Sequence, residues 1–305
     1  MLLLTLAKIA RAMTVLAAVS FLTFIIGHVS GDPVLLLVRG DATAQQKADM
    51  RHTLGLDRPV LAQYTTYVTQ ALHGDLGRSY RQRVPVSQLI ALRLPNSLLL
   101  AGTAFGLALV AGFALGVAAA WKRGQLADHA VALLSVLAQV VPGFWLGLML
   151  VLLFAVHWQI LPVSGSGDLA HLVLPAITLA LPTLGRMARL VRAGMLEVMS
   201  ADFIRTARAK GLKERDVMLG HAARNALLPL MTQAGLELGD MVGSAFIIET
   251  VFAWPGLGRM TVNAVLQRDF LVVQGCVLVI AATFVLLNLA VDLLYAAVDP
   301  RVRAR

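Results

Sequence analysis

Two acidic residues, Glu237 and Asp240, stand within a largely apolar stretch and are the side chains best placed to do chemistry. Residues three apart share one face of a helix, and Gln233 lies on that face one turn earlier. Ionisable groups in such a stretch are costly and usually face a water-filled cavity or a charged partner. We therefore expect either an acidic wall along a path for a cationic solute or an ion pair between helices. Both interpretations stay open.

The sequence carries no motif of enzyme chemistry. It has neither the G-x-x-x-x-G-K-[ST] cradle for nucleotide phosphates nor the zinc-binding H-E-x-x-H pattern. The run G-S-G at residues 165–167, with His171 nearby, is too weak a pattern for a serine hydrolase. The single Cys276 lies in an apolar run, so a disulfide framework and a cysteine metal site are excluded. We expect a non-catalytic chain that binds no cofactor or metal itself.

The elements that must position these residues are membrane-spanning helices. Residues of the set AVILMFWYC make up 58% of the 305, and only 14% are charged, against about 25% in soluble domains. This composition excludes a soluble globule and a disordered chain. A span needs about 20 mostly apolar residues, and six stretches qualify: residues 12–31, 97–121, 130–156 with a kink expected at Pro142, 169–185, 225–248 and 270–291. The sequence therefore predicts an all-α membrane protein with six transmembrane helices.

The net charge of +9 is largely a matter of topology. Nine basic residues fall in the segment 186–225, whereas the two shorter loops expected outside hold only Arg259 and Arg268. Because basic residues accumulate in cytoplasmic loops, both termini are expected in the cytoplasm. The first stretch is expected to remain as an anchor, not to be cleaved as a signal peptide. No nucleic-acid motif is present.

Two segments between the spans carry further signals. In the outer region 32–96, an amphipathic helix is expected to cap the bundle, or to lie on the membrane or a partner; its apolar face comprises Val60, Leu61, Tyr64, Val68 and Leu72. The segment 186–225 begins with a basic stripe of Arg186, Arg189 and Arg192, which ordinary snorkelling would also explain. A short surface helix follows, with Ser200 as the expected N-cap and Gly211 as the residue after its end.

This segment and several others resemble one family. The run IRTARAKGL at 204–212, followed by HAARNALLP at 221–229, resembles the cytoplasmic "EAA" loop of bacterial ABC importer permeases, most closely the dipeptide/oligopeptide/nickel group. Further matching motifs are GDP at 31–33, HGDLGRS at 73–79, ETVFAWPGLGR at 249–259 and DPR at 299–301. The glutamate of the wider superfamily loop is absent, with Arg205 or Thr206 near its place. The group commonly shows this variant.

The resemblance implies a type I permease fold in two parts, with an anchor helix and extracytoplasmic region at 1–96 and a permease core at 97–305. It implies that residues 186–225 form a coupling loop whose short helix seats in a cytoplasmic ATPase. Small residues would allow close approach there, and basic residues would meet acidic groups of the ATPase. The residues implied in coupling are Arg205, Thr206, Ala207, Arg208, Ala209, Lys210, Gly211, Leu212, His221 and Asn225.

The resemblance also implies the assembly and its task. A second homologous permease, two ABC ATPase subunits carrying ATP and Mg, and an extracytoplasmic solute-binding protein would complete a bacterial inner-membrane importer of small peptides that works by alternating access. The alternative substrate is nickel or a metal chelate, toward which the acidic pair tilts slightly. The alternative of another class is a self-sufficient secondary transporter or channel, which would predict an internal inverted repeat that the sequence does not show convincingly.

Two further sets of residues receive roles on this basis. The outer loop implied to face the binding protein holds Trp254, Pro255, Gly256 and Gly258, with Trp254 alternatively an anchor at the membrane interface. The candidate translocation path comprises Gln233, Glu237, Asp240 and Asn288. Asn288 and Asp292 lie four apart near the inner end of the last span. They either line the path or pair with arginines.

Overall fold

The computed structural model describes residues 2–29, 34, 38 and 43–298, with side chains described for 8–29, 34, 38, 43–226 and 233–291. The helices are α1 (Leu2–Val29), α2 (Ala44–Thr53), α3 (Val60–Leu72), α4 (Val86–Trp121), α5 (Leu126–Val140), α6 (Gly143–Leu150) with a π-helical continuation (Val151–His157), α7 (Leu169–Met199), α8 (Asp202–Ala209), α9 (Glu214–Asp216) with a π-helical continuation (Val217–Ala222), α10 (Ala223–Val251), α11 (Leu257–Leu266) and α12 (Phe270–Val298). Within the described part of the chain the sole strand-like pairing is an isolated bridge between Arg78 and Pro85. The prediction of an all-α protein is confirmed.

Four helices are long and apolar enough to cross a membrane, and a bent pair makes a fifth candidate. The four are Lys8–Val29, Val86–Trp121, Leu169–Met199 and Phe270–Val291. In the fifth, Leu126–Val140 and Gly143–His157 meet at 108°, so the kink predicted at Pro142 is confirmed as a full break in the predicted span. The predicted span 225–248 lies within α10, which is not among these candidates. The count of six and the cytoplasmic position of the termini stay predictions.

One predicted span is longer than expected. The stretch 169–185 continues as the 31-residue helix α7, which passes through Pro175 and Pro182 without ending. Prolines are tolerated in membrane helices because neighbouring groups can satisfy the backbone carbonyls that they free. As a result, α7 extends without interruption from Asp168, whose side chain caps its first turn, to Met199, well within the segment 186–225.

The chain forms two compact units, one of Met1–Ser97 with Pro255–Val285 and one of Leu98–Trp254 with Leu286–Arg305. In the first unit, α3 packs on α1, as expected of a helix that caps a bundle: the hydroxyls of Tyr64 and Ser20 lie 2.8 Å apart, and Phe24 contacts Tyr64 and Tyr67. The predicted apolar face of α3 is partly wrong, because Leu61 and Leu72 are 71% and 76% exposed whereas Tyr67 is buried. The large tyrosine ring at position 67, beside Phe24, determines which face is buried.

A second cluster in this unit joins its two sequence segments. Val86 and Ile90 pack with Leu257, Val272 and Cys276, so Cys276 is a buried apolar residue as expected. Near this cluster the Asp269 carboxylate accepts hydrogen bonds from the Ser79 hydroxyl at 2.5 Å and from the Tyr80 amide at 3.2 Å. The motif at 73–79 thus ends in a loop held by a buried acid.

The second unit is built around α7. A Cβ at Gly112 or Gly116 of α4 would lie within 2.7 Å of atoms of α7, and one at Gly185 of α7 would lie 2.8 Å from the carbonyl oxygen of Ser135 in α5. These glycines are needed because the helix backbones approach too closely for a side chain. The buried face of α7, which includes Met187, packs against α4, α5 and α10.

Candidate functional site

The segment 186–225, in which the resemblance implies a coupling loop, contains the short helix α8. It begins at Asp202 after Ala201, whose side chain makes no cap bond, so the prediction of Ser200 as N-cap is wrong. Ser200 instead closes α7: its hydroxyl donates to the carbonyl of Glu197 at 2.7 Å. Only Ser200 and Ala201 separate α7 from α8, and the Ser200 hydroxyl is bonded within the last turn of α7. Asp202 lies in the first turn as expected, where the helix dipole favours an acid.

The end of α8 follows the prediction. Gly211 has a φ of +78°, the left-handed conformation that side chains disfavour, and its amide donates to the carbonyl of Arg208 at 2.9 Å. The chain thereby turns back towards α9. The Glu214 carboxylate accepts two hydrogen bonds from the Arg208 guanidinium, at 2.6 and 3.1 Å. This hydrogen bonding lowers the pKa of Glu214 below its ordinary value.

Arg208 was expected to meet an acid of the ATPase, but its partner in this chain is Glu214. Sequence reasoning missed the pair because the two residues are six apart, a spacing that no regular helix brings together. The turn at Gly211 brings them together instead.

One face of α8 is buried against the chain itself. Ile204 is fully buried and Ala207 nearly so, packed against Met195 of α7 and against Val217 and Met218 of the π-helical continuation. The other residues implied in coupling are all exposed: Arg205, Thr206, Arg208, Ala209, Lys210, Gly211, Leu212, His221 and Asn225. Ala207 therefore permits close approach within the chain, whereas the exposed set forms a mixed polar surface.

The acidic pair of α10 divides into one buried and one exposed residue. Glu237 is 2% exposed, and its carboxylate accepts hydrogen bonds from Arg186 Nε at 2.7 Å, from Thr183 Oγ1 at 3.0 Å and from Gln233 Nε2 at 3.0 Å. A second guanidinium nitrogen of Arg186 also bonds it. This is an ion pair between α7 and α10. Asp240, one turn further along, is exposed.

Each arginine of the basic stripe has a partner on another helix. Besides the Arg186 pair, Arg189 Nη2 donates to Gln139 Oε1 at 2.6 Å, and Arg192 donates to both oxygens of Asp128 at 2.5 and 2.8 Å. Snorkelling into head groups is therefore not what positions these side chains. Sequence reasoning missed Asp128 and Gln139 because nothing in the spacing connects residues 50 or 64 positions apart.

The remaining predicted residues are placed as follows. Asn288 is half-buried, and the side chain of Asp292 lies outside the described residues, as do the motifs at 31–33 and 299–301. Trp254, Gly256 and Gly258 are buried and Pro255 is half-buried. Trp254 packs in an apolar cluster, which is not the environment of an interfacial anchor. Among the described residues, no three His, Cys, Asp or Glu side chains lie where they could hold a metal ion.

Comparisons with known proteins agree along most of the chain. A family model for the binding-protein-dependent transport system inner membrane component matches residues 112–304, and a model for the N-terminal part of such membrane components matches residues 1–101. The sequence is 40% identical to the dipeptide transport system permease protein DppB of Escherichia coli (strain K12), over 93% of this chain and 94% of that protein.

Two solved structures share the fold. An inward-facing form of the MetNI methionine ABC transporter aligns with a TM-score of 0.58 at 22% identity, over 70% of this chain and 97% of that chain. A crystal structure of an amino acid ABC transporter with histidines aligns with a TM-score of 0.52 at 17% identity, over 70% and 94% of the two chains. At these identities the likeness concerns the fold alone.

Proposed function

The chain belongs to the family of binding-protein-dependent transport system inner membrane components and is an inner-membrane permease of a peptide ABC importer; from this premise we propose that its coupling loop, residues 186–225, receives the movement of a partner ATPase. ATP and Mg would be held by two ATPase subunits. A second homologous permease and an extracytoplasmic binding protein would complete the machine. The transported solutes are small peptides, as in the dipeptide system of the E. coli relative.

The coupling role rests on the two faces of α8, of which one is buried within the chain and the other is exposed. Its inner face is fixed by Ile204 and Ala207, while Arg205, Thr206 and Ala209 remain exposed. An eight-residue helix is marginal in water on its own, and here the packing against α7 and the π-helical continuation holds it. A partner that displaces the exposed face therefore displaces both of these elements. Alternating access needs such a transfer of movement into the membrane helices.

Substitution of Gly211 tests this role. Gly211→Val places a β-branched residue at a φ of +78°, which strains the backbone by about 1–3 kcal/mol and alters the exit of α8. Peptide uptake and co-purification of the ATPase should each fall at least about tenfold, with the amount of chain in the membrane unchanged. Gly74→Val is the matched control, since Gly74 lies outside the coupling loop, has a similar φ of +82°, is exposed, and a Cβ there would meet nothing within 4 Å. Normal uptake by Gly211→Val would contradict the coupling role.

We also assign Gln233, Asp240 and Asn288 to the translocation path. Asp240 is an exposed carboxylate on a largely apolar helix, and Glu237 one turn earlier would position that helix through its pair with Arg186. An exposed carboxylate attracts the amino terminus of a peptide weakly. Asp240→Asn should therefore raise the KM for a free dipeptide about two- to fivefold and leave the KM for its N-acetylated form unchanged. An equal effect on both peptides would exclude this role.

The substrate and the energy source can be tested together. The chain is reconstituted in vesicles with its second permease, ATPases and binding protein, and uptake of a labelled dipeptide and of nickel is followed with and without ATP. ATP-dependent dipeptide uptake supports the proposal. Uptake of nickel but not of the dipeptide would instead identify an importer of nickel or a metal chelate. Uptake by the chain alone without nucleotide would identify a secondary transporter.

A further inference from the structure

A single buried carboxylate joins three segments near the end of α7 that leads to α8. The Asp128 side chain belongs to a residue only 5% exposed, and its carboxylate accepts hydrogen bonds from Nε and Nη2 of Arg192 at 2.5 and 2.8 Å. Its oxygen Oδ2 also accepts the amide of Gly124 at 3.0 Å. Asp128 therefore connects the turn after α4, the first turn of α5 and α7. Arginine forks of this kind fix orientation as well as distance, because both hydrogen bonds must align.

A second contact holds the same two helices two turns away. At Gly185 the backbone of α7 lies against Ser135 of α5, so closely that a Cβ would come within 2.8 Å of the Ser135 carbonyl oxygen. Gly185 and Arg192 are seven residues apart, and so are Asp128 and Ser135 in the opposite direction. Seven residues make about two helical turns. The antiparallel helices α5 and α7 are thus fixed at two levels on one shared face.

This double fixation decides which helices can move together. A helix pair joined at one point can pivot about it, whereas a pair joined at two points two turns apart moves as one body. The direct continuation of α7 through Ser200 and Ala201 into α8 places the Arg192 contact nearest to the coupling helix. Without that contact, the close approach of Gly185 to Ser135 and the Arg189–Gln139 bond would still hold the two helices near Gly185, and displacement of α8 would swing the end of α7 about that level.

We propose that Asp128 and Arg192 are a positioning pair that makes α5 part of the body driven by the coupling loop. This role requires no contact of the pair with solute or nucleotide. It ensures that movement received at α8 reaches the membrane helices instead of being lost in bending α7 away from α5. This inference rests on the proposed function, because it assumes that α8 receives movement from an ATPase.

The test compares two arginines one turn apart on the same helix. In vesicles holding the complete importer, peptide uptake and ATP hydrolysis are measured on the same sample for Arg192→Gln, Asp128→Gln, the double variant and the matched control Arg189→Gln. Arg189 also joins α7 to α5 through the neutral Gln139, but it is exposed, and its bond lies one turn from the Gly185–Ser135 contact on each helix. Its replacement therefore leaves α5 and α7 held at both levels.

The expected result is a loss of coupling at constant hydrolysis. Arg192→Gln and Asp128→Gln should keep ATP hydrolysis within about twofold and lower the peptide transported per ATP at least about tenfold. The double variant should be no worse than either single variant, since all three remove the same interaction. Arg189→Gln should stay within about twofold of the natural chain. Uptake and hydrolysis falling together, or an equal effect of Arg189→Gln, would overturn the proposal.

A measurement on the chain with both residues intact covers the case in which these variants do not assemble. With Cys276→Ser as background, spin labels are placed at the exposed positions Leu133 of α5 and Ala193 of α7. Their separation should change by less than about 2 Å between nucleotide-free and ATP-bound importer, because the two helices move as one body. A larger change would overturn the inference. Absence of ATP-dependent uptake by the natural chain would instead reject the proposed function itself.

Discussion

The buried pair of Glu237 and Arg186 gives the sharpest prediction about stability. In Glu237→Leu, the donors of Arg186, Thr183 and Gln233 lose their common acceptor. Removing one partner of a buried ion pair costs about 3–5 kcal/mol, because the remaining charge stays desolvated. The Arg186 side chain is 38% exposed, so water recovers part of its solvation. We therefore expect a loss at the lower end, about 3 kcal/mol.

A double variant distinguishes the loss of the whole ion pair from the loss of one of its two side chains. Replacing both residues with apolar side chains, as in Arg186→Leu with Glu237→Leu, leaves no charge of the pair unmatched, and such replacements are often nearly neutral. The double variant should be more stable than the sum of the single effects by about 2 kcal/mol or more. The free energy of unfolding is measured at equilibrium in mixed detergent micelles for four chains: the natural chain, Glu237→Leu, Arg186→Leu and the double variant. Additive single effects would refute the reasoning.

The same four chains test the other interpretation of Glu237. If Glu237 served mainly to attract cationic solutes along the path, Glu237→Leu would lower uptake with little loss of stability. The double variant would then not restore uptake. Recovery of both stability and uptake in the double variant would show that Glu237 acts through Arg186, by holding α10 against α7.

Three further predictions concern the coupling loop and the packing around α7. Ile204→Ala, at a fully buried position, should cost about 2–5 kcal/mol of local stability and raise hydrogen exchange throughout α8, whereas Leu212→Ala at an exposed position should not. Gly185→Val should lower the free energy of unfolding in detergent by about 1–3 kcal/mol or more, because the valine side chain would meet the backbone of α5. Gly106→Ala should be neutral or slightly stabilising, because a Cβ at Gly106 would meet nothing within 4 Å. The hydrogen bonds from Arg208 lower the pKa of Glu214, so this pair stabilises the folded loop above the ordinary pKa of 4.5 and loses the effect as the pH falls through the lowered pKa. Proteolysis between α8 and α9 should therefore rise only below pH 4.5. In Glu214→Gln, which has no carboxylate to protonate, this rise should be absent.

Signals within one helix or one turn could be predicted from the sequence. The apolar lengths indicated most of the long helices, because crossing a membrane demands a minimum number of apolar residues whatever the neighbours are. The break at Pro142 and the left-handed turn at Gly211 followed from the backbone limits of proline and glycine. The wrong cap at Ser200 arose where two helix ends lie close together, and the local pattern could not assign one residue to one of them.

The contacts between helices could not be predicted, since spacing along the chain describes only one helix at a time. Arg186, Arg189 and Arg192 form a visible stripe, but their acceptors lie 50 to 64 residues away. The face of α3 was misjudged for a related reason. Its leucines are more apolar than Tyr67, yet the neighbouring Phe24 of α1 packs with the aromatic ring. Burial depends on the shape of the partner surface, which the sequence of α3 does not contain.

The basic stripe shows how one pattern can satisfy two demands. Basic residues in cytoplasmic loops orient a membrane protein during insertion, before the other helices are in place. In the folded chain two of the same side chains, Arg186 and Arg192, bind buried carboxylates and so join α7 to α10 and to α5. A charge count is sufficient for the first role, whereas the second requires a fork that can bond both oxygens of an acid. Lysine at these two positions should therefore preserve the orientation of the chain while weakening the contacts that α7 makes with its neighbours.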